Sequence, residues 1–365
     1  MKRVVFILAL LFTFSTYAQR KETIYQFDTA KIKKVQFIAL PVVFSTPETG
    51  FGFGGGGQIF IPGRSNIYNN RLSNMLFTAI YTTNKQFILD LKPQLYIGKG
   101  DYFFDMAYKF KIYPNQFWGI GNQTPESNQE SYDMTSHEFR IAYLKRLPPN
   151  LNFGFEYVYQ NHNVTDVEEG GILDEGNVPG QDEAIISGLG VIFNLDSRDD
   201  VSSPFSGHYL QMNARFSSEI FGASSGFNKM ILDLRTYLPV GKKSILALQV
   251  YSENTFGEIP FQGQAWYGGG DRARGYFKGR YIDNQMYVIQ AEYRLRFHPR
   301  WIVAGFGLIG EVAEYSRDFL TDFKPAAGGG IRFKIKKDQP TVIRLDVGVG
   351  KGQGANIYFG VNEAF

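Results

Sequence analysis

The chain has 365 residues, among them 33 Phe, 22 Tyr, 40 Gly and no cysteine, with a formal net charge of +3. The missing thiol excludes disulfides, thiol catalysis and thiolate metal sites, and the small charge gives no electrostatic case for nucleic acid. Beyond the first 14 residues no apolar run approaches the roughly 18 needed for a transmembrane helix, whereas many aromatics and glycines at ordinary mean hydropathy suit short alternating strands.

Lys2 and Arg3 precede an apolar run from Val4 to Phe14, and Thr16-Tyr17-Ala18 offers small residues at a cleavage site. This predicts a secretory signal over residues 1–18, too short to anchor in a bilayer. Cleavage leaves Gln19 first, with no cysteine nearby for lipid attachment. Residues 19–33 form a short periplasmic segment and 34–365 the main domain.

From residue 34 onward, apolar and polar residues alternate. In 87–97, Asp90, Lys92 and Gln94 interleave with Phe87, Leu89, Leu91 and Leu95; in 287–297, Gln290, Glu292, Arg294 and Arg296 interleave with Tyr287, Ile289, Tyr293, Leu295 and Phe297. A strand sends successive side chains to opposite faces, so each segment has one greasy and one charged face. A soluble β-sandwich satisfies the same alternation. The secretory signal, the aromatic density and segments of about 9–12 residues, long enough for a tilted strand to cross a bilayer, favour a transmembrane antiparallel barrel. Sixteen segments are predicted, at 34–45, 51–60, 72–82, 86–97, 102–111, 136–146, 151–161, 183–194, 208–217, 228–238, 244–253, 284–297, 300–311, 324–335, 340–349 and 355–365. An even number closes a barrel with both termini in the periplasm. The connections at 112–135, 162–182 and 254–283 are long, while those at 98–101, 147–150 and 298–299 are tight, the asymmetry of outer-membrane barrels. Pro93 lies mid-strand and predicts a bulge or a shifted boundary. Pro41 removes a donor from the first strand.

Residues that could carry chemistry are few. His137, His162, His208 and His298 are scattered without ligand spacing. A serine hydrolase at the lipid face would need Ser and His side by side, but His137 has lipid-face parity and Ser136 the opposite. The glycines of 50–57 lack the Lys-Ser/Thr of a phosphate loop and suit twist or close approach. Asp196-Ser197-Arg198-Asp199-Asp200 reads as a turn with a local Arg–Asp pair in preference to a cation site. No catalytic residue, metal or cofactor is expected.

The long connection 254–283 contains Gly268-Gly269-Gly270-Asp271-Arg272-Ala273-Arg274-Gly275-Tyr276, and the next strand carries Ala291-Glu292-Tyr293-Arg294. As a solvated turn, Gly275 would only relax the backbone and Arg274 would be hydrated. An arginine at the tip of an infolded loop instead needs a carboxylate. Phe117-Trp118-Gly119-Ile120-Gly121-Asn122, Asp196 to Asp199 with Pro204 and Gly207, Gly330-Ile331-Arg332-Phe333, Ile343-Arg344-Leu345-Asp346 and a terminal Phe365 complete a series running over roughly 110–365. In order and spacing this series resembles the BamA/TamA-like outer-membrane assembly factors, the bacterial surface antigen family. The resemblance implies that the loop folds into the lumen, where Arg274 of the Arg274-Gly275-Tyr276 element pairs with Glu292, supported by Asp196, Arg198, Asp199, Pro204, Gly207, Arg294 and Asp346. Departures stand out. Leu308 occupies the place of a second acidic partner for the loop arginine, with Glu311, of opposite parity, as the candidate substitute, and Glu363 interrupts the apolar pattern of the last strand. Segment 19–33 is too short for the periplasmic POTRA modules that such factors usually carry.

The implied function is non-enzymatic help in inserting or translocating proteins at the outer membrane, with Pro41, Gly360 and Phe365 at a weakly bonded closing seam. The implied partners are outer-membrane lipid and lipopolysaccharide, with client barrel proteins or a separate periplasmic partner. The alternative is a passive pore or structural surface barrel.

Overall fold

The computed structural model describes residues 34–46, 50–61, 73–83, 85–98, 101–147, 150–335 and 341–365. The signal segment 1–18 and the segment 19–33 lie outside the described residues. The strands are β1 Gln36–Thr46, β2 Gly50–Ile61, β3 Ser73–Thr82, β4 Phe87–Ile97, β5 Tyr102–Phe117, β6 Glu130–Leu147, β7 Leu151–Thr165, β8 Glu183–Asp196, β9 Gly207–Ser217, β10 Phe227–Pro239 and β11 Ser244–Gly257. A short hairpin follows, β12 Ala265–Tyr267 and β13 Tyr281–Asp283; then come β14 Gln285–His298, β15 Trp301–Ala313, β16 Ala326–Lys334, β17 Val342–Gly350 and β18 Ala355–Val361.

Sixteen of these form one sheet in which each strand pairs antiparallel with its successor, β11 passing over the short hairpin to β14. The predicted barrel meander is therefore present. Among the described residues no backbone pairing joins β1 to β18, so the sheet is not closed. Alternation sets the two faces. On β14, Ile289, Tyr293, Leu295 and Phe297 are exposed while Gln290, Glu292 and Arg294 are buried. Such a strand is stable only if lipid covers the first set and a shared interior the second.

Three expectations are corrected. β5 runs to Phe117 and β6 begins at Glu130, so half of the connection drawn at 112–135 is paired strand, with Pro114 opposite Asp133. Pro93 produces neither a bulge nor a shifted boundary: the β4–β5 ladder skips Lys92 and Pro93 and resumes at Gln94 in unchanged register. The last strand stops at Val361. Asn362 takes a left-handed φ of 70° and turns the final residues inward, so Phe365 is not a seam residue. It packs with Tyr237, Ile245, Ala247 and Ala364. Pro41, opposite Gly55, and Gly360, opposite Arg344, lie on the two edge strands of the sheet, each paired on one side.

The interior is not uniformly polar. Ile302, Ala304, Phe306 and Leu308 of β15 face inward and are buried. Leu308 belongs to a cluster with Tyr251, Tyr267, Tyr276, Met286, Val288, Val312 and Ala326. The 258–284 connection supplies Tyr267 and Tyr276 to that cluster, so the wall it covers is apolar. At the outer mouth Phe117, Tyr132, Met134, Val164, Leu173, Val178, Phe261 and Ile282 form a second cluster that roofs this connection.

Candidate functional site

The tip of the infolded connection is shaped by its glycines. Gly268, Gly269 and Gly275 have φ of 115°, 92° and 113°. At Gly275 the constraint is double, because a Cβ there would also come within 2.8 Å of the Ala326 Cβ and 2.9 Å of the Gly350 N. The bare backbone lets the tip lie against the last strands. Gly350 N donates to Gly275 O at 3.1 Å. Asn356 Nδ2 donates to the same carbonyl at 3.1 Å. The Tyr358 hydroxyl accepts from Gly275 N at 2.8 Å and donates to Tyr276 O at 3.1 Å. The Tyr276 ring is buried beside Tyr267 and Tyr281, and its hydroxyl donates to Pro325 O at 2.8 Å while accepting from Lys351 N at 2.9 Å. Burial pushes the Tyr276 phenol up to about 12.

Arg274 is fully buried. Its Nη1 lies 2.7 Å from Glu292 Oε2 and 2.7 Å from Asp346 Oδ2, with hydrogen-bond geometry toward Asp346. The guanidinium stacks on Phe306, 3.6 Å from the ring centroid. A buried charge is tolerated when geometry and further hydrogen bonds offset its desolvation, and here they extend into a network. Glu292 Oε1 accepts from Arg294 Nε at 2.6 Å and from Arg332 Nη2 at 3.1 Å. Arg332 also reaches Asp346, and its Nε lies 3.0 Å from Glu363 Oε2. Arg344 contacts Asp346 at 3.2 Å and the exposed Asp271 at 3.0 Å. Four arginines thus face four carboxylates. Arg274 and Glu292 form one edge of this network, and the second acid beside Arg274 is Asp346 of β17.

Leu308, at the place where an acid was sought, seals the apolar side of the tip. Glu311 does not approach Arg274; it accepts from Tyr287 Oη at 2.9 Å and Asp322 N at 3.1 Å, holding the β15–β16 connection. Glu363 lies beyond β18 and is a member of the network. Arg332, Arg344 and Glu363 escaped the sequence reading as site residues. Central charges on inward parity in β16 and β17 signal the two arginines; no local signal marks Glu363.

The Asp196–Gly207 segment sits at the opposite end of the sheet, between β8 and β9. Asp196 grips Arg198 through both carboxylate oxygens, at 3.0 and 2.8 Å. Arg198 lies over Tyr209. Asp199 Oδ1 accepts from Phe205 N at 2.9 Å and Ser206 N at 3.2 Å, closing the turn. Pro204 is buried, and Gly207 takes a φ of 108° as β9 begins. This turn meets the network through the tail: Glu363 N donates to Ser202 O at 3.1 Å, Ser203 Oγ to Glu363 Oε1 at 3.3 Å, and Arg294 Nη2 to Phe365 O at 2.9 Å.

From the other side the 117–126 segment braces the connection. Gly121 N donates to Ile282 O at 2.7 Å, and Arg280 donates to Thr124 Oγ1 at 3.0 Å and pairs with Glu126. Beneath the roof, Asp283 is buried, and among the described residues the Asn284 N–H alone is bonded to its carboxylate; burial pushes that carboxyl up to about 6, with Glu314 and Asp318 adding to the effect. Ser136 Oγ contacts His162 Nδ1 at 2.9 Å on the lumen side, with both side chains buried, while His137 faces outward beside Tyr108.

Comparison with known proteins accords with this geometry. Residues 53–362 match the Omp85 superfamily domain. No curated protein sequence matches the chain. Among solved structures, the fold is similar to BamA of Haemophilus ducreyi, in a form lacking POTRA domains 1–3, with a TM-score of 0.59 at 11% identity over 90% of this chain and 70% of that one. It is also similar to CdiB of Acinetobacter baumannii (TM-score 0.56, 14% identity, 90% of this chain, 59% of that one) and CdiB of Escherichia coli (0.57, 12%, 90%, 62%). The chain thus spans about three fifths of either CdiB. With most of its length inside the matched domain and a sixteen-stranded meander enclosing an infolded loop, the chain is an outer-membrane β-barrel that belongs to the Omp85 superfamily.

Proposed function

We propose that this barrel assists the insertion or translocation of other proteins at the outer membrane, without a covalent step. The observation that carries the reading is the asymmetry of the open seam. β18 is tied to the infolded tip through Asn356 and Tyr358, whereas among the described residues the backbone ladder of β1 is with β2 alone. One edge is held by the lumen and the other is available as a template for an incoming strand, the pairing that most β-proteins suppress. Membership in the Omp85 superfamily and the fold shared with BamA and CdiB support client handling in general. The client and any separate periplasmic partner belong to the proposal.

The test uses the purified full chain in liposomes. A client barrel should fold into these vesicles faster than into empty ones, and a variant with the tip released, Arg274→Ala, should lose most of that acceleration. Ion flux without any effect on client folding would overturn the proposal in favour of a passive pore.

A further inference from the structure

Cations gather where neighbouring strands of the C-terminal half turn. Lys242 and Lys243 lie between β10 and β11, Arg296 near the end of β14, Arg300 between β14 and β15, and Lys334 at the end of β16. Backbone bonds stitch these turns side by side: Arg296 N donates to Lys243 O and Lys334 N to Arg300 O, each at 2.8 Å. Lys242 and Lys243 are exposed, while Arg296, Arg300 and Lys334 are partly buried. Arg296 and Lys334 share the parity of the buried, inward-facing Arg294 and Arg332 on their own strands. The positions beside them carry the exposed Phe297 and Trp301, and the Trp301 ring meets Phe333 of β16. The rings therefore face lipid, and the charges line the inner rim of the mouth.

A cavity of about 20 Å³ opens on this rim, between Lys243, Arg294, Arg296, Ser203, Phe205 and Glu363. It has room for one water-sized polar group. Arg294 Nη1 is buried and has no acceptor among the described residues. The acids of this end are engaged elsewhere. Asp199 and Asp200 accept backbone N–H groups of their own turn, and Glu363 is divided between Arg332 and Arg294. Lys242, Lys243, Arg300 and Lys334 form no ion pair with any described residue.

We infer that this rim docks an acidic segment of a polypeptide partner, its carboxylates set along Lys243, Arg296, Arg300 and Lys334 and one carboxylate oxygen entering the cavity toward Arg294. Charge of one sign along a rim draws in and orients a chain of the opposite sign. The inward parity of the cations favours a polypeptide over lipid headgroups, which meet the outward rings first. Short turns of outer-membrane barrels face the periplasm, so the partner is a periplasmic one. The inference gives the chemistry of the separate partner named under the proposed function. It rests on that reading only for the partner's role, because docking is measured with no client present.

The probe is a fluorescein-labelled oligoglutamate peptide, and the full chain is held in zwitterionic phosphatidylcholine nanodiscs. Fluorescence anisotropy should show one saturable site that weakens as salt is added. Lys243→Glu and Arg300→Glu should each weaken it by roughly tenfold or more, the effect of setting like charges face to face. Lys145→Glu makes the same change of charge at the same end of the sheet, on an exposed lysine of β6, and should alter affinity by no more than about twofold. The double variant Lys243→Glu, Arg300→Glu should bind an oligolysine peptide that the parent does not, a gain that misfolding does not produce. Phosphatidylglycerol added to the discs should leave the peptide bound. Absence of a saturable site overturns the inference, as does an equal loss in Lys145→Glu or a double variant without the gain. Displacement by phosphatidylglycerol also overturns it and gives the rim to lipid. Failure of client folding leaves this result standing, and failure here leaves the client assay untouched.

Discussion

Arg274 shows how one side chain can hold a loop inside a barrel. Its charge is shared between Glu292 and Asp346, and both acids keep other arginine partners when it is removed. For this reason Arg274→Ala should fall toward the lower end of the penalty for breaking a buried pair, about 3 kcal/mol. Most of that should come from release of the tip. Urea unfolding in detergent would give the loss, and limited trypsin digestion should cut at Arg272 or Lys278 in the variant but not in the parent. An unchanged midpoint together with a trypsin-resistant tip would exclude the anchoring role. Asp283 makes a second residue-scale prediction. Its folded carboxyl is raised to about 6 from an ordinary 3.8, so the folded state holds the extra proton between those values. Stability is greatest below the lower value and declines as pH rises through about 6, by an amount of order 3 kcal/mol at most. The outer roof should therefore be tighter at pH 5 than at pH 7.5, as measured by hydrogen exchange in Tyr281–Asn284. Asp283→Asn, which can still accept from the Asn284 N–H, should remove the slope and protect the segment at pH 7.5. A slope that survives the substitution would assign it to another group.

At the scale of elements, the C-terminal tail joins parts that are distant in sequence. The left-handed turn at Asn362 sends Glu363 to Arg332 and Arg294, and Phe365 into the cluster around Tyr237. Phe365→Ala should cost about 3 kcal/mol through the cavity it leaves. Glu363→Gln should weaken the Arg332 contact while leaving the Phe365 packing in place. Thermal melting of both variants and of a chain ending at Asn362 checks the order: the truncation should be the least stable and Glu363→Gln the most. The tail also shows where sequence reading runs out. The membrane-spanning parts of β4, β14 and their neighbours were legible because lipid on one side and a shared interior on the other force a period of two. Around Pro114 and Glu130 the phase is reversed, with apolar Tyr132 and Met134 buried inward between polar Ser131, Asp133 and Thr135, so this paired stretch did not continue the outward-apolar pattern. Arg274 and Glu292 were legible because an unprotected charge in mid-strand or at a buried tip demands a partner, whereas Asp346 was marked only by the family resemblance. Glu363 was misread because a non-glycine residue makes the turn before it, and its partners lie on other strands. The apolar interior of β15 could not be foreseen from β15 itself, since it exists to receive Tyr267 and Tyr276.

At the scale of the whole molecule, the open seam raises the question of what holds the barrel in shape. Much of the answer lies inside it, in a belt of side-chain hydrogen bonds. Thr341 Oγ1, just before β17, donates to Gln58 Oε1 on β2 at 3.0 Å, so the belt spans the gap that the backbone does not. Gln58 continues to Asn74, Asn74 to Gln94, and Gln94 to Asp105, at 3.1, 3.3 and 3.3 Å. Arg140 then joins Asp105 to Glu156, at 2.7 Å to each, and Glu156 takes Arg215 at 2.5 Å. The Arg140–Glu156–Arg215 portion is charge-assisted and rigid. The neutral amide and hydroxyl contacts nearer the seam are each worth only about 1 kcal/mol, so the belt is weakest where the sheet is unpaired. Opening should therefore start at the Thr341–Gln58 contact. The absence of cysteine from the chain makes this directly measurable. In a Gln58→Cys, Thr341→Cys variant a short bis-maleimide should cross-link in high yield in liposomes, and a longer one should not be required. The linked protein should retain the parent's heat stability or exceed it, and it should lose acceleration of client folding, which a variant with either single cysteine keeps. Full client folding by the linked protein would show that the gap between β1 and β18 takes no part in that activity.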